Sequence, residues 1–117
     1  MAAKDDLGRR GEALAGEYLA AKGLTILDRN WRCSQGELDI VARDGRDLVF
    51  VEVKTRAGTG FGHPFAAITA TKLARLRRLA AAWCEAHPLM HGHVRIDAVA
   101  VTGAGRTPTI EHLERIF

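Results

Sequence analysis

The segment Leu48-Val49-Phe50-Val51-Glu52-Val53-Lys54 constrains this chain more than any other. In an extended strand, residues 48, 50, 52 and 54 share one face and residues 49, 51 and 53 share the other. Both faces begin apolar, so the strand must be covered on two sides, which places it in the middle of a sheet between layers. One face then changes abruptly to Glu52 and Lys54. Two charges at the end of a buried strand are costly unless they are paired or coordinated.

A partner strand directly precedes it. Glu37 to Arg43 reads as a strand, and the Asp44-Gly45-Arg46 connection favours a tight hairpin with antiparallel pairing. Leu38, Ile40 and Ala42 are expected to line one face of that strand, with Glu37 and Asp39 on the other. The hairpin can bring Asp39 near Glu52 at the end away from the turn, in a register that the sequence leaves open. Two carboxylates meeting there repel unless a cation lies between them, and Lys54 supplies only one charge. A hard, oxygen-seeking ion such as Mg2+ or Mn2+ would complete the site. An ion pair of Glu52 with Lys54 at a solvated strand end, with Asp39 paired to an arginine, accounts for the same residues.

Elsewhere the pattern gives a layered α/β domain. Leu7, Leu14, Tyr18 and Leu19 recur at helical spacing between about Asp6 and Lys22, and Gly23 supplies a stop. Leu24 to Leu27 is a short strand, which Asp28 to Arg32 either extends or leaves as a loop. Ala57 to Pro64, with three glycines and a proline, is a loop directly after the charged strand. Thr69 or Thr71 caps a second helix running to about His87, with Leu73, Leu76, Leu79, Ala80 and Trp83 on its apolar face and Pro88 beyond its end. Val94 to Val101 is a buried strand containing Asp97, an acid best read as structurally paired, and Thr109 to Ile116 is a final strand or short helix. The order predicts one domain over residues 1–117, with a mixed central sheet flanked by helices. The helical crossover lets the strands on either side of it run parallel.

A chain of 117 residues can bury a sufficient core without disulfides or structural metals. Cys33 and Cys84 stand in no ligand spacing and read as ordinary thiols of a reducing compartment. The charged Met1-Ala-Ala-Lys-Asp-Asp start lacks the apolar core of a signal peptide, and apolar runs fall far short of the roughly 20 residues that span a bilayer. A cytoplasmic protein without a membrane partner is expected.

With 17 Lys and Arg against 14 Asp and Glu, the net charge of +3 permits a polyanionic partner without requiring one. Its arrangement is more telling. Lys72, Arg75, Arg77 and Arg78 crowd the start of the second helix, with no acid until Glu85, as a phosphate-binding face or a solvated one. Gln35, Arg56 and the Gly58 to Gly62 loop adjoin the proposed centre and can close over a nucleic-acid strand. Phe61 and Trp31 read as core residues before base-stacking ones, and the five histidines show no metal spacing.

Three motifs now stand in order: Gly8-Arg9-Arg10-Gly11-Glu12, Gly36-Glu37-Leu38-Asp39-Ile40 and Val51-Glu52-Val53-Lys54-Thr55-Arg56. Together they resemble the bacterial YraN-like family of small proteins. That family is similar in turn to archaeal Holliday-junction resolvases and the wider PD-(D/E)xK nuclease superfamily. The resemblance implies a restriction-endonuclease-like or resolvase-like fold in which Glu12, Asp39, Glu52 and Lys54 form the catalytic set. Asp39, Glu52 and the Val53 carbonyl would hold Mg2+ or Mn2+, Lys54 would orient the attacking water, and Glu12 would serve a second metal or a metal-bound water. Leu38 stands where the superfamily motif has proline. On its own helix Glu12 shares a side with Ala15, Gly16 and Leu19, and without the resemblance it reads as a surface acid beside Arg9 or Arg10.

The expected function is metal-dependent hydrolysis of phosphodiester bonds, in DNA of branched or irregular structure, with Gln35, Arg56, Lys72 and Arg75 holding the nucleic acid. Resolvase-like proteins often act as homodimers. A non-catalytic nucleic-acid-binding module on the same fold, or a protein-interaction module, is the alternative.

Overall fold

The doubly apolar segment lies inside β3 (Asp47–Arg56), the middle strand of a five-stranded sheet. The computed structural model describes residues 3–58, 60, 62–103 and 107–117, with side chains from residue 6 onward. Thr59 and Phe61, and with them the expected place of Phe61 in the core, lie outside the described residues. The other strands are β1 (Thr25–Cys33), β2 (Gly36–Asp44), β4 (His93–Thr102) and β5 (Thr109–Leu113), in spatial order β1-β2-β3-β4-β5. β3 and β4 run parallel and the remaining neighbours antiparallel, which gives the mixed sheet of a single restriction-endonuclease-like or resolvase-like α/β domain.

Two helices cover the faces. Helix α1 (Ala3–Ala21) packs Ala15 and Leu19 on Ile40, Ala42, Val49, Val51, Val53, Val99 and Val101. Helix α2 (Ala70–Ala86) is the crossover between β3 and β4 and packs Leu76, Leu79, Ala80 and Trp83 on Leu48, Phe50 and Ile96. Trp83 meets Phe50 edge-on at 5.7 Å between ring centres, while its Nε1 donates to Asp28 Oδ2 at 2.9 Å. Its polar end is thus satisfied within the core. Among the described residues no helix is long and apolar enough to cross a membrane.

Local chemistry sets the boundaries. Asp44 pairs with Asp47, leaving Gly45 at φ 60° and Arg46 as a two-residue turn. Thr69, rather than Thr71, caps α2, accepting from the Lys72 N–H at 3.1 Å. Asp28 to Arg32 extends β1 past a bulge between Ile26 and Asp28. The final segment is a strand, and the residues after it return to β4, where Ile116 N donates to Ile96 O at 2.8 Å.

One expectation is corrected. Ile40 and Ala42 face α1, but Leu38 packs on the α2 side with Trp31, its partner on β1. Strand alternation breaks at Asp39, one residue beyond the last β2 to β3 pair, Ile40 with Val51. On β1 the break falls at Asn30, which adopts the left-handed φ of 51° between Arg29, opposite Ile40, and Trp31, opposite Leu38.

Candidate active site

The site begins where two strands part. β1 stays paired with β2 down to Cys33 and Gly36, and β3 stays paired with β4 up to Arg56 and Thr102, but the ladder between β2 and β3 ends at Ile40 and Val51. In the opening the Val53 N–H has no strand partner across from it and donates to Asp39 Oδ2 at 2.8 Å. Asp39 and Glu52 would have been the next pair, so the fork sets their carboxyls at its apex.

Glu52 alternates onto the α2 face and is 7% exposed. Its Oε2 lies 2.6 Å from Lys72 Nζ and 3.5 Å from Lys54 Nζ. Lys72 sits in the first turn of α2, where a helix dipole disfavours a cation, and the buried carboxylate compensates for that placement. The parallel crossover explains the meeting, because it returns the N-terminus of α2 over the C-terminal end of β3.

Glu12 reaches the same region from α1, and a glycine makes this possible. A Cβ on Gly11 would stand 1.9 Å from Thr55 Oγ1, so only glycine lets α1 lie this close to β3. Glu12, Asp39, Arg9, Ala13, Arg29 and Asn30 line a cavity of about 230 Å³ on that side. Asp39 therefore stands between an α1-side compartment holding Glu12 and an α2-side compartment holding Glu52, Lys54 and Lys72.

The electrostatics follow from this crowding. Burial, then the charge of Glu52 and that of Glu12, push the Asp39 carboxyl up to about 8 against the opposing bond from Val53 N–H. Burial and the charges of Glu37 and Glu52 raise Glu12, opposed by Arg29 and a hydrogen bond from Asn30. Burial lowers Lys54, and a bond with Lys72 lowers it further against the pull of Glu52. Burial alone would lower Lys72, but bonds with Glu52 and Lys54 and the charges of Glu52 and Asp39 hold it above its ordinary value. One carboxyl thus tends to keep its proton and one lysine to release its own.

Among the described residues, the remaining residues singled out from the sequence make no hydrogen bond or ion pair with Glu12, Asp39, Glu52 or Lys54. Gln35 is exposed at the turn between β1 and β2, and Arg75 runs past the same turn, its Cδ 3.8 Å from where a Gly36 Cβ would lie. Arg56 follows Lys54 by two residues on β3, and its buried Nε has no partner among the described residues. Trp31 packs in the α2-side core, and Asp97 is paired: it meets Arg95 at 3.0 Å and His112 Nε2 at 2.7 Å. Among the described residues no three His, Cys, Asp or Glu side chains stand together closely enough to hold a metal ion. Metal binding here would therefore rest on Asp39 and Glu52 with backbone or water oxygens. Sequence reasoning missed Asn30 and Arg29, whose only signal was a polar run inside a strand. Asparagine is one of the few side chains that tolerates the left-handed conformation required there.

The model of the uncharacterised protein family UPF0102 matches residues 11–101. A UPF0102 protein of Arthrobacter sp. (strain FB24) is 58% identical over 118 residues, covering 99% of each chain. One of Beutenbergia cavernae is 56% identical over 120 residues, again covering 99% of each. One of Frankia alni is 55% identical over 118 residues, covering all of this chain and 98% of the other. The chain belongs to UPF0102, the YraN-like family that its three motifs resemble.

Proposed function

Proceeding from that family membership, we propose that residues 1–117 act as one PD-(D/E)xK nuclease-like domain, a cytoplasmic metal-dependent endonuclease hydrolysing phosphodiester bonds in DNA of branched or irregular structure. The observation that carries this reading is the strand fork itself, where Asp39 accepts from the Val53 N–H at 2.8 Å with Glu52 beside it and Glu12 across the α1-side cavity, and where burial, then the charges of Glu52 and Glu12, push the Asp39 carboxyl up to about 8. A centre built only for stability would not concentrate like charges where they destabilise one another.

The donor set suits a hard divalent cation. Asp39 and Glu52, with the Val53 carbonyl beside them, would hold Mg2+ or Mn2+, and a cation between the carboxylates would offset both the burial and the Glu52 charge that hold the Asp39 proton. When bound, such an ion supplies Lewis acidity toward a phosphate oxygen and an attacking water. The rest falls to side chains. Lys54, whose proton is loosened by burial and by Lys72, donates to a non-bridging phosphate oxygen and orients the water. Lys72 pairs with the Glu52 carboxylate at 2.6 Å and fixes it in place. Glu12, steadied by Asn30, accepts hydrogen bonds from water on the α1 side. Gln35, Arg56 and Arg75 hold the nucleic-acid backbone around the mouth of the fork. A homodimer would present two such centres for paired cuts.

A second reading, a nucleic-acid-binding module without chemistry, is favoured by the close pairing of Glu52 with Lys72, which balances that carboxylate without any metal. Calorimetric titration of Mn2+ at neutral pH separates the two. The nuclease reading expects binding that releases nearly one proton, because Asp39 must ionise, and that is lost in Asp39→Ala/Glu52→Ala. Identical titrations of the wild type and the folded variant would leave the binding module.

A further inference from the structure

The hairpin turn between β2 and β3 and the segment entering β4 enclose a groove of about 470 Å³, lined by Arg43, Gly45, Arg46, His91, Gly92 and His93. It lies at the end of the sheet away from the carboxylates. Each of its four polar side chains carries nitrogen donors, and among the described residues no carboxylate lines it.

The groove is a defined feature of the fold. His93 N donates to Arg46 O at 3.0 Å, which ties the two segments together. A Cβ on Gly92 would stand 2.6 Å from Arg46 O and 3.0 Å from Leu48 Cγ, so glycine is what lets them close. The half-buried Arg43 guanidinium is held by its Nη2 bond to His91 O at 2.9 Å. Arg46, His91 and His93 are exposed, and their side chains bond to nothing among the described residues. The adjacent acids are committed elsewhere: Asp44 and Asp47 bind Arg95 Nη1 at 3.1 and 3.2 Å.

A fixed guanidinium, a second guanidinium and two imidazoles, each able to donate from a ring nitrogen, line this one groove. A tetrahedral oxyanion accepts from several directions at once, which a planar carboxylate does less well. We propose that this groove binds a phosphate group of the nucleic-acid backbone, as a second point of contact remote from the carboxylate centre. The proposal rests on the nucleic-acid reading above and adds the path of the substrate. Asp47, paired with His93 at the groove, and Glu52 are five residues apart on β3, about 17 Å at about 3.3 Å per residue. That equals about five base-pair rises, so about six base pairs cover the separation and a duplex of about 16 spans both sites with about five to spare at each end.

The test is anisotropy of a labelled duplex of about 16 base pairs, with EDTA present, across a salt series. It compares wild type with Arg46→Ala/His93→Ala and with Arg46→Gln/His91→Gln, both altered at exposed side chains without bonding partners. Duplex affinity is expected to fall at least about five-fold in each variant, with a salt slope shallower by about one. Mn2+ binding should be unchanged. Inorganic phosphate, followed by amide resonances, should perturb residues 45–46 and 91–93. Unchanged duplex affinity and slope in both variants would overturn the proposal. So would phosphate-induced shifts at these residues in a protein whose duplex, once added, leaves the same resonances unmoved, which would mark a site for the free ion only, and so would a wild type that binds no duplex. A protein that binds duplex through this groove and cuts nothing retains the proposal and loses the hydrolysis reading.

Discussion

Replacing Asp39 by asparagine should stabilise the protein, by an amount that grows with pH. The Asp39 carboxyl has an ordinary value of 3.8 and is held at about 8 in the folded chain, first by burial and then by the charge of Glu52. Between those values the folded state keeps a proton that the unfolded state has lost, so wild-type stability falls as pH rises through this window. One proton corresponds to about 1.4 kcal/mol per pH unit. Asparagine has no proton to lose, and its amide oxygen can still accept from the Val53 N–H, which lies 2.8 Å from Asp39 Oδ2. From pH 5.5 to 7.5 the advantage of Asp39→Asn over wild type should therefore widen by about 2 to 3 kcal/mol. Urea unfolding followed by tryptophan fluorescence, in EDTA at fixed ionic strength, measures it directly, since Trp83 is buried in the core. Excess Mn2+ should then stabilise wild type and leave Asp39→Asn nearly unmoved. Parallel stability curves for the two proteins across this pH range would refute the reasoning, because Asp39 would then ionise as an ordinary surface acid does.

Two further outcomes follow from the way Glu12 is placed. Gly11→Ala should cost about 1 to 3 kcal/mol in chemical unfolding, because its Cβ would meet Thr55 Oγ1 at 1.9 Å, and Thr55→Ala in the same chain should recover part of the loss. Full stability in Gly11→Ala alone would contradict the close approach of α1 to β3. At Asn30, φ 51°, Asn30→Gly should keep the backbone while Asn30→Ala costs about 1 kcal/mol more. Both should weaken Mn2+ binding if the Asn30 amide positions Glu12, and equal stability of the two variants would count against strain at that residue.

The periodicity of 48–54 and the Asp-Gly turn were enough to place the central hairpin, because the buried strand and its turn are encoded locally. The apolar spacing of α2 and its crossover role were legible for the same reason. Three features were not. The switch of Leu38 to the α2 face depends on where the β2 to β3 ladder ends, which tertiary packing decides. The partnership of Lys72 with Glu52 spans the crossover and appears in no local pattern, so Lys72 read as a phosphate contact or part of a solvated helix face, with no sign of the buried carboxylate beside it. The last strand was ambiguous because five edge residues with alternating exposure carry too short a pattern to separate strand from helix. Of the site itself, spacing allowed Asp39, Glu52 and Lys54 to meet at one strand end, but it left the register open and fitted an ordinary ion pair equally well. Glu12 required the resemblance, since its approach depends on the fit of Gly11 against Thr55.

The central claim is tested most directly by cleavage. Purified protein should be incubated with branched and linear DNA in Mg2+ or Mn2+, beside Lys54→Ala and a control in EDTA. The account predicts metal-dependent cutting by wild type that falls at least about a hundred-fold in Lys54→Ala, as expected for losing a donor to the transition state. No cutting of any substrate by a folded, Mn2+-binding wild type would contradict it.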